Sequence, residues 1–214
     1  MRLETDSRLL FIGDSITDCN RSRPIGKGGL TSGLGDGYVN LVYGALTAMY
    51  PENHIHVMNT GISGNTVRDL AARWESDALA LLPDWTSVMI GINDVWRQFD
   101  GLWKPEQFIS HNEFTNTLGR LVAQIRPHLK GLVLMSPYYL QTDEQDAMRQ
   151  RMDIYRTAVS TLAEQHDAIY VDTQKALDGV LRYVDAGQLS HDRVHMGIVG
   201  HTVLAQAFLK AIGC

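Results

Sequence analysis

Five short apolar runs recur along this 214-residue chain, at 8–12, 54–58, 85–90, 131–135 and 168–171. Each is rich in Val, Ile, Leu or Met, and runs of this length and composition read as strands. The run Leu132-Val133-Leu134-Met135 is apolar on both faces, as a central strand of a parallel sheet requires. Stretches of helical period lie between the runs, at 38–50, 67–82, 114–128, 145–165 and 197–212. The stretch 114–128 puts Phe114, Leu118, Leu121, Val122 and Ile125 on one stripe, and 145–165 does the same with Met148, Met152, Tyr155, Val159 and Leu162. The stripe of 38–50 is Val39, Val42, Leu46 and Met49, and that of 197–212 is Val199, Val203, Leu204 and Ala207. Asn65 or Thr66 caps the stretch at 67–82. Strict alternation of strand and helix allows few architectures. It predicts a three-layer α/β/α sandwich around a central five-stranded parallel sheet, as one domain over 1–214.

The formal charge of −5 gives no basic footprint for nucleic acid and no polybasic patch for a membrane surface. No apolar stretch reaches the length of a membrane span, the first eight residues are polar, and a cytoplasmic location is expected. Cys19 and Cys214 are the only cysteines and imply no disulfide framework. No CxxC or HExxH pattern suggests a metal, and none is expected. The glycine-rich loop 18–37 contains Gly26-Lys27, but without the Ser or Thr and the spacing of a phosphate-binding loop. A second loop, 93–106, concentrates Trp96, Arg97, Phe99, Trp103 and Lys104 at a strand's carboxyl end, where ligands meet open α/β sheets. Exposed Trp and Tyr loops also give a surface for homo-oligomer formation.

The first run ends in Gly13-Asp14-Ser15, which delivers a hydroxyl to the sheet rim. Serine is a weak nucleophile at neutral pH and needs a base within hydrogen-bond reach. Asp192-Arg193-Val194-His195 supplies an imidazole and, three residues earlier, an acid to orient it. Gly64 and Asn93 each lie just beyond a predicted strand, at positions where N–H groups could face a developing oxyanion. Strand carboxyl ends of an open α/β sheet share one crevice, so these distant residues are expected to converge. His191 and Arg193 read as surface residues, His201 and Cys19 as structural ones, and His54 and His56 as alternating strand positions.

Gly13-Asp14-Ser15, the glycine of Ile62-Ser63-Gly64-Asn65-Thr66, Gly91-Ile92-Asn93-Asp94 and Asp192-Arg193-Val194-His195 resemble, in order, the four blocks of the SGNH (GDSL-type) hydrolases. The resemblance spans residues 8 to 200 and implies a flavodoxin-like SGNH fold. It implies Ser15 as nucleophile, His195 as base, Asp192 as its orienter, and an oxyanion hole made by Ser15 N–H, Gly64 N–H and the Asn93 amide. No cofactor is implied.

Phe11–Cys19, Gly61–Leu70, Gly91–Gln98 and Glu144-Gln145-Asp146 are similar to the intracellular acetylxylan esterases of that group. This closer likeness implies an acetylated small molecule or xylose-based oligosaccharide as substrate. Trp96, Arg97 and Tyr139 are the expected substrate contacts, with Tyr138 and Trp103 nearby. The chain departs from the pattern at Met196, where the family often has proline, and at His191, where related acetylesterases carry an aromatic residue. The absence of a long apolar lid weighs against long-chain lipids. A broad short-acyl esterase or thioesterase, and a catalytically silent carbohydrate-binding protein, stand as alternatives.

Overall fold

The computed structural model describes residues 2–31, 33–101 and 105–214. Strand β1 (Arg8–Gly13) leads into a single helical turn, α1 (Ser15–Asp18). The glycine-rich loop then forms a two-residue strand, β2 (Gly26–Lys27), before α2 (Tyr38–Met49) and β3 (His56–Asn59). Two short helices follow, α3 (Val67–Ala72) and α4 (Trp74–Asp77), then β4 (Trp85–Met89), α5 (Ile92–Trp96), α6 (His111–Ile125) and β5 (Gly131–Met135). The chain finishes with α7 (Ala147–Gln165), β6 (Ile169–Val171), α8 (Thr173–Leu181), α9 (Ala186–Leu189) and α10 (Ile198–Ala211).

The sheet order is β2-β3-β1-β4-β5-β6. All neighbours are parallel except β2, which runs antiparallel to β3 with Gly26 opposite Asn59. Leu10 sits opposite Met58 on one side and Thr86 on the other, at the middle of the sheet. Leu9, Leu10, Phe11 and Ile12 are wholly buried. Phe11 packs on Tyr38 of α2 and Phe208 of α10, while Phe114 of α6 meets Tyr155 of α7. These contacts mark the two helical layers on the sheet. The five parallel strands carry the order of a doubly wound sheet, with a crossover reversal at β1 and β4 that opens a crevice at their carboxyl ends.

The predicted stripes of α6 and α7 are buried throughout. Five local expectations are corrected. The sheet has six strands rather than five, because β2 is an edge piece too short to show an apolar pattern. The third strand begins at His56, and His54 closes a 3-10 turn in the left-handed region, so the two histidines do not alternate along a strand. The predicted helix 67–82 breaks at Arg73, which caps α3 and opens α4. Helix α8 was not anticipated, although Asp172 caps it by accepting from Lys175 N–H. Met49 and Val199 lie on the solvent side of their helices rather than in the core.

Candidate active site

Ser15 stands where β1 turns into α1. Asp14 caps that turn, its Oδ1 accepting from Ile16 N–H at 3.0 Å. Cys19 ends the turn in the left-handed region, its N–H donating to the Ser15 carbonyl at 3.1 Å. A Cβ at Gly13 would lie 2.2 Å from the Met89 carbonyl, so only glycine lets β1 approach β4 here. The nucleophile turn is thus held from both ends before any partner arrives.

The partner comes from the loop before α10. Ser15 Oγ lies 2.9 Å from His195 Nε2, and His195 Nδ1 lies 2.6 Å from Asp192 Oδ2. An ionised Asp192 has no proton to give, so Nδ1 carries the hydrogen and Nε2 is left to accept from the serine hydroxyl. Asp192 Oδ1 accepts three more hydrogen bonds, from Ser190 Oγ at 2.8 Å, Val194 N–H at 2.9 Å and His195 N–H at 2.7 Å. Burial works against the carboxylate, but the His195 ring, the two backbone N–H groups and Ser190 outweigh it and hold Asp192 well below the usual carboxylate range. The loop itself is anchored from strand β5's carboxyl end. Tyr138 donates its hydroxyl to the Val194 carbonyl at 2.7 Å, and Leu140 N–H donates to the Arg193 carbonyl at 3.0 Å.

Two further segments complete the crevice. Gly64 lies beyond β3 at φ +81°, a left-handed conformation that glycine adopts without strain, and nothing covers its Cβ side within 4 Å. Asn93 lies in the first turn of α5, which Gly91 opens at φ +122°. Its side chain is almost fully buried, and Nδ2 donates to the Asn65 carbonyl at 3.0 Å. One of its two N–H bonds is thereby used and orients the other. The neighbouring Asp94 accepts from Val67 N–H at 3.0 Å, tying the start of α3 to α5.

Both buried acids beside the site, Asp14 and Asp94, have an Oδ2 with no partner among the described residues. Burial pushes Asp14 up to about 7, against the Ile16 N–H bond and the charge of Arg73. Burial pushes Asp94 up to about 7 as well, against its bonds to the Val67 and Asp94 N–H groups. Each therefore sits between its charged and neutral forms near neutrality.

Ser15, Gly64, Asn93, Trp96, Arg97 and His195 all line one cleft of about 560 Å³. The Trp96 ring meets the His195 ring edge-on at 5.6 Å, and the Arg97 guanidinium lies 5.3 Å over Trp96 while pairing with Asp100. Tyr139 is not among the residues lining this cleft. It packs partly buried on the core, its N–H and carbonyl both bonded to the Gln174 side chain. Tyr138 is a wholly buried anchor rather than a sugar contact. Trp103 and Lys104 lie outside the described residues. A second cavity of about 580 Å³, between α2 and β3, holds Arg8, Lys27, Tyr43 and His56 but no nucleophile and base in contact.

Cys19 and His201, read from the sequence as structural, both reach the cleft wall, with Sγ 3.5 Å from Nε2. Burial and three nearby aspartates push the thiol up to about 12, and burial brings His201 down to about 4. Both shifts favour the neutral thiol and the neutral imidazole, so a thiolate–imidazolium pair is disfavoured here. The residue with the least sequence signal is Ser190, a common loop serine whose hydroxyl holds the triad acid.

A half-buried serine–histidine–aspartate chain at the carboxyl edge of a doubly wound sheet defines a serine hydrolase. The chain belongs to the GDSL-like lipase/acylhydrolase family, whose model matches residues 11–203. It is 51% identical over 213 residues to an acetylxylan esterase of Geobacillus stearothermophilus, covering 100% of this chain and 97% of that one. The crystal structure of that organism's acetylxylan esterase Axe2 superposes with a TM-score of 0.98 at 50% identity, covering 100% and 97% of the two chains. LAE5, an alpha/beta hydrolase enzyme from the metagenome of Lake Arreo in Spain, matches at a TM-score of 0.97 and 46% identity, covering 100% and 98%. The chain is a carboxylic ester hydrolase of this family.

Proposed function

We propose that this enzyme removes acetyl groups from short xylose-based oligosaccharides through an acetyl-serine intermediate. The observation that carries the reading is the unbroken relay from Ser15 Oγ through His195 to Asp192, at 2.9 and 2.6 Å, opening on the cleft that Gly64 and Asn93 also line. Likeness over the full chain to an acetylxylan esterase supports the choice of acyl group and alcohol.

In this reading Ser15 Oγ attacks the acetyl carbonyl while His195 Nε2 takes its proton. The imidazolium that forms faces the Asp192 carboxylate, which four donors already hold in its charged state. The tetrahedral oxyanion is met by Ser15 N–H, Gly64 N–H and the free N–H of Asn93 Nδ2, neutral donors that need no proton transfer when charge develops. His195 returns its proton to the departing sugar hydroxyl. Water then attacks the acetyl-enzyme by the same base, releasing acetate. No step calls for a metal or an organic cofactor. Trp96 and Arg97 stand at the cleft wall, where a ring face and a guanidinium suit the apolar side and the hydroxyls of a sugar.

The test is acetate release from acetylated xylo-oligosaccharides, set against acyl-CoA and p-nitrophenyl esters of increasing acyl length, for the parent enzyme and Ser15→Ala. The xylo-oligosaccharide is expected to be the best substrate by kcat/KM, with Ser15→Ala inactive on all. A clear preference for acyl-CoA would replace the glycan reading with a thioesterase. Full activity in Ser15→Ala would end the covalent mechanism.

A further inference from the structure

Four acceptors surround the guanidinium of Arg73, and three belong to segments that bring groups into the cleft. Nη2 donates to the Gly13 carbonyl at 2.9 Å, two residues before Ser15. Nη1 donates at 2.7 Å to the Thr60 carbonyl, where the chain leaves β3 for Gly64. Nε donates at 2.7 Å to Asn65 Oδ1, and the carbonyl of that same Asn65 accepts from Asn93 Nδ2 at 3.0 Å. The fourth acceptor, Asp77 Oδ2 at 3.0 Å, ties the guanidinium to its own helix. The side chain is 12% exposed and does not line the cleft.

The break in the predicted helix acquires a reason here. Arg73 occupies the junction of α3 and α4, off the helical path, and its side chain reaches back to the carboxyl edge of the sheet. The end of β1 and the single loop from Thr60 to Asn65 are thereby bonded to one rigid, planar group, and Asn93 of α5 is reached through the Asn65 carbonyl. A guanidinium presents five N–H bonds in a fixed fork, whereas an ammonium presents three on a flexible stem. The Gly13 carbonyl also accepts from Ile62 N–H at 3.0 Å, so the β1 and β3 ends would stay in contact without Arg73. Asn65 would keep its N–H bond to the Ile62 carbonyl at 3.2 Å but lose the side-chain anchor that fixes the residue whose carbonyl orients Asn93.

We infer that Arg73 is a positioning residue for the oxyanion hole: its fork sets the separation of the Ser15 and Gly64 N–H groups from the Asn93 amide. The inference rests on the esterase reading of the site but not on the identity of the sugar. Oxyanion donors act only within a narrow distance of the reacting oxygen. A misplacement of about 1 Å costs on the order of 10² in rate. Ground-state binding of a small ester makes no such demand. Loss of Arg73 should therefore fall on kcat and leave KM alone, whereas a clip serving stability alone would lower Tm and spare both.

The experiment compares parent, Arg73→Gln, Arg73→Lys and Arg73→Ala on p-nitrophenyl acetate, an ester with no sugar, with folding followed by circular dichroism. Arg73→Gln is expected to lose on the order of 10² in kcat with KM within about twofold. Labelling of Ser15 by a phosphonate, whose oxygen occupies the same hole, is expected to slow in parallel. Arg73→Ala is expected to regain part of its kcat on addition of guanidinium too dilute to unfold the parent, and none on addition of ammonium. A folded Arg73→Gln enzyme with kcat and labelling rate within about threefold of the parent overturns the inference. Should Arg73→Gln not fold, Arg73→Lys decides: a roughly tenfold loss in kcat is expected, and parent-level kcat overturns the claim. Acetate release from acetylated xylo-oligosaccharide is measured beside these. A parent inactive on the sugar but active on p-nitrophenyl acetate counts against the glycan reading and leaves the Arg73 comparison intact.

Discussion

Asp192→Asn is the substitution whose outcome the geometry defines most closely. The two carboxylate oxygens have different surroundings: Oδ1 accepts from Ser190 Oγ, Val194 N–H and His195 N–H, while Oδ2 accepts from the His195 ring, with the exposed His191 ring 4.0 Å away. The serine hydroxyl can rotate to accept, but the two backbone N–H groups cannot. An asparagine must therefore keep its oxygen at the Oδ1 position and turn its NH₂ toward His195 Nδ1. Donor then faces donor unless Nδ1 gives up its hydrogen. The ring shifts to the tautomer with hydrogen on Nε2, which donates to Ser15 Oγ and can no longer accept from it. The loss expected from a wrong tautomer is on the order of 10⁴ in kcat, about 5 kcal/mol of barrier. Steady-state kinetics on p-nitrophenyl acetate measure it, and the ring-proton resonances of His195 report the tautomer directly. KM should move little, because the cleft wall is untouched. An Asp192→Asn enzyme within about tenfold of parent kcat, with Nδ1 still protonated, would refute the argument from donor counting.

Asn93→Ala removes one oxyanion donor and is expected to cost roughly 10²–10³ in kcat with little change in KM, read on the same ester. Stability should fall as pH rises through the neutral range. Asp14 and Asp94 are each held at about 7 in the folded chain against an ordinary carboxyl value of 3.8, so between those pH values the folded state binds more protons than the unfolded one. Asp192 is depressed, so its contribution is already complete above about 4 and is lost only as pH falls below that. His201, held at about 4 against 6.5, has the opposite slope between those values, so the informative quantity is the difference between parent and variant. Asp94→Asn is expected to flatten the decline between about pH 5 and 7 by up to roughly 1.4 kcal/mol per pH unit. Denaturant unfolding across that range measures it, and parallel curves would contradict the burial argument.

Much of this architecture was legible in the chain because it is written in short-range patterns. Period-two and period-3.6 burial depend on neighbours a few residues apart, so the stripe Phe114, Leu118, Leu121, Val122 and Ile125 announced α6 and its inward face. The strand-to-turn passage at Gly13-Asp14-Ser15 and the loop Asp192–His195 were legible for the same reason, since each makes its cap or hydrogen bonds within three residues. Expectations failed where a long-range partner overrode a local pattern. The stretch 67–82 has a helical pattern, yet the bonds Arg73 makes to Gly13 and Thr60 hold its side chain where a continuous helix would not put it. Tyr139 has the composition of a sugar contact, yet Gln174, thirty-five residues on, holds its backbone against the core.

By itself the sequence determined the five parallel strands, the helical layers between them and the four segments expected at the carboxyl edge, because secondary structure follows from periodicity and alternating strands and helices allow few architectures; strand order and the antiparallel edge piece β2 came only with the structure. Tertiary structure alone decided that Ser15 and His195, 180 residues apart, stand at 2.9 Å, that Tyr138 and Ser190 hold the loop carrying the base, and that one guanidinium ties the end of β1 to the loop after β3. Such contacts depend on how every intervening element packs. A shift of a single ångström, invisible in any pattern of residues, separates a relay of hydrogen bonds from a set of neighbours.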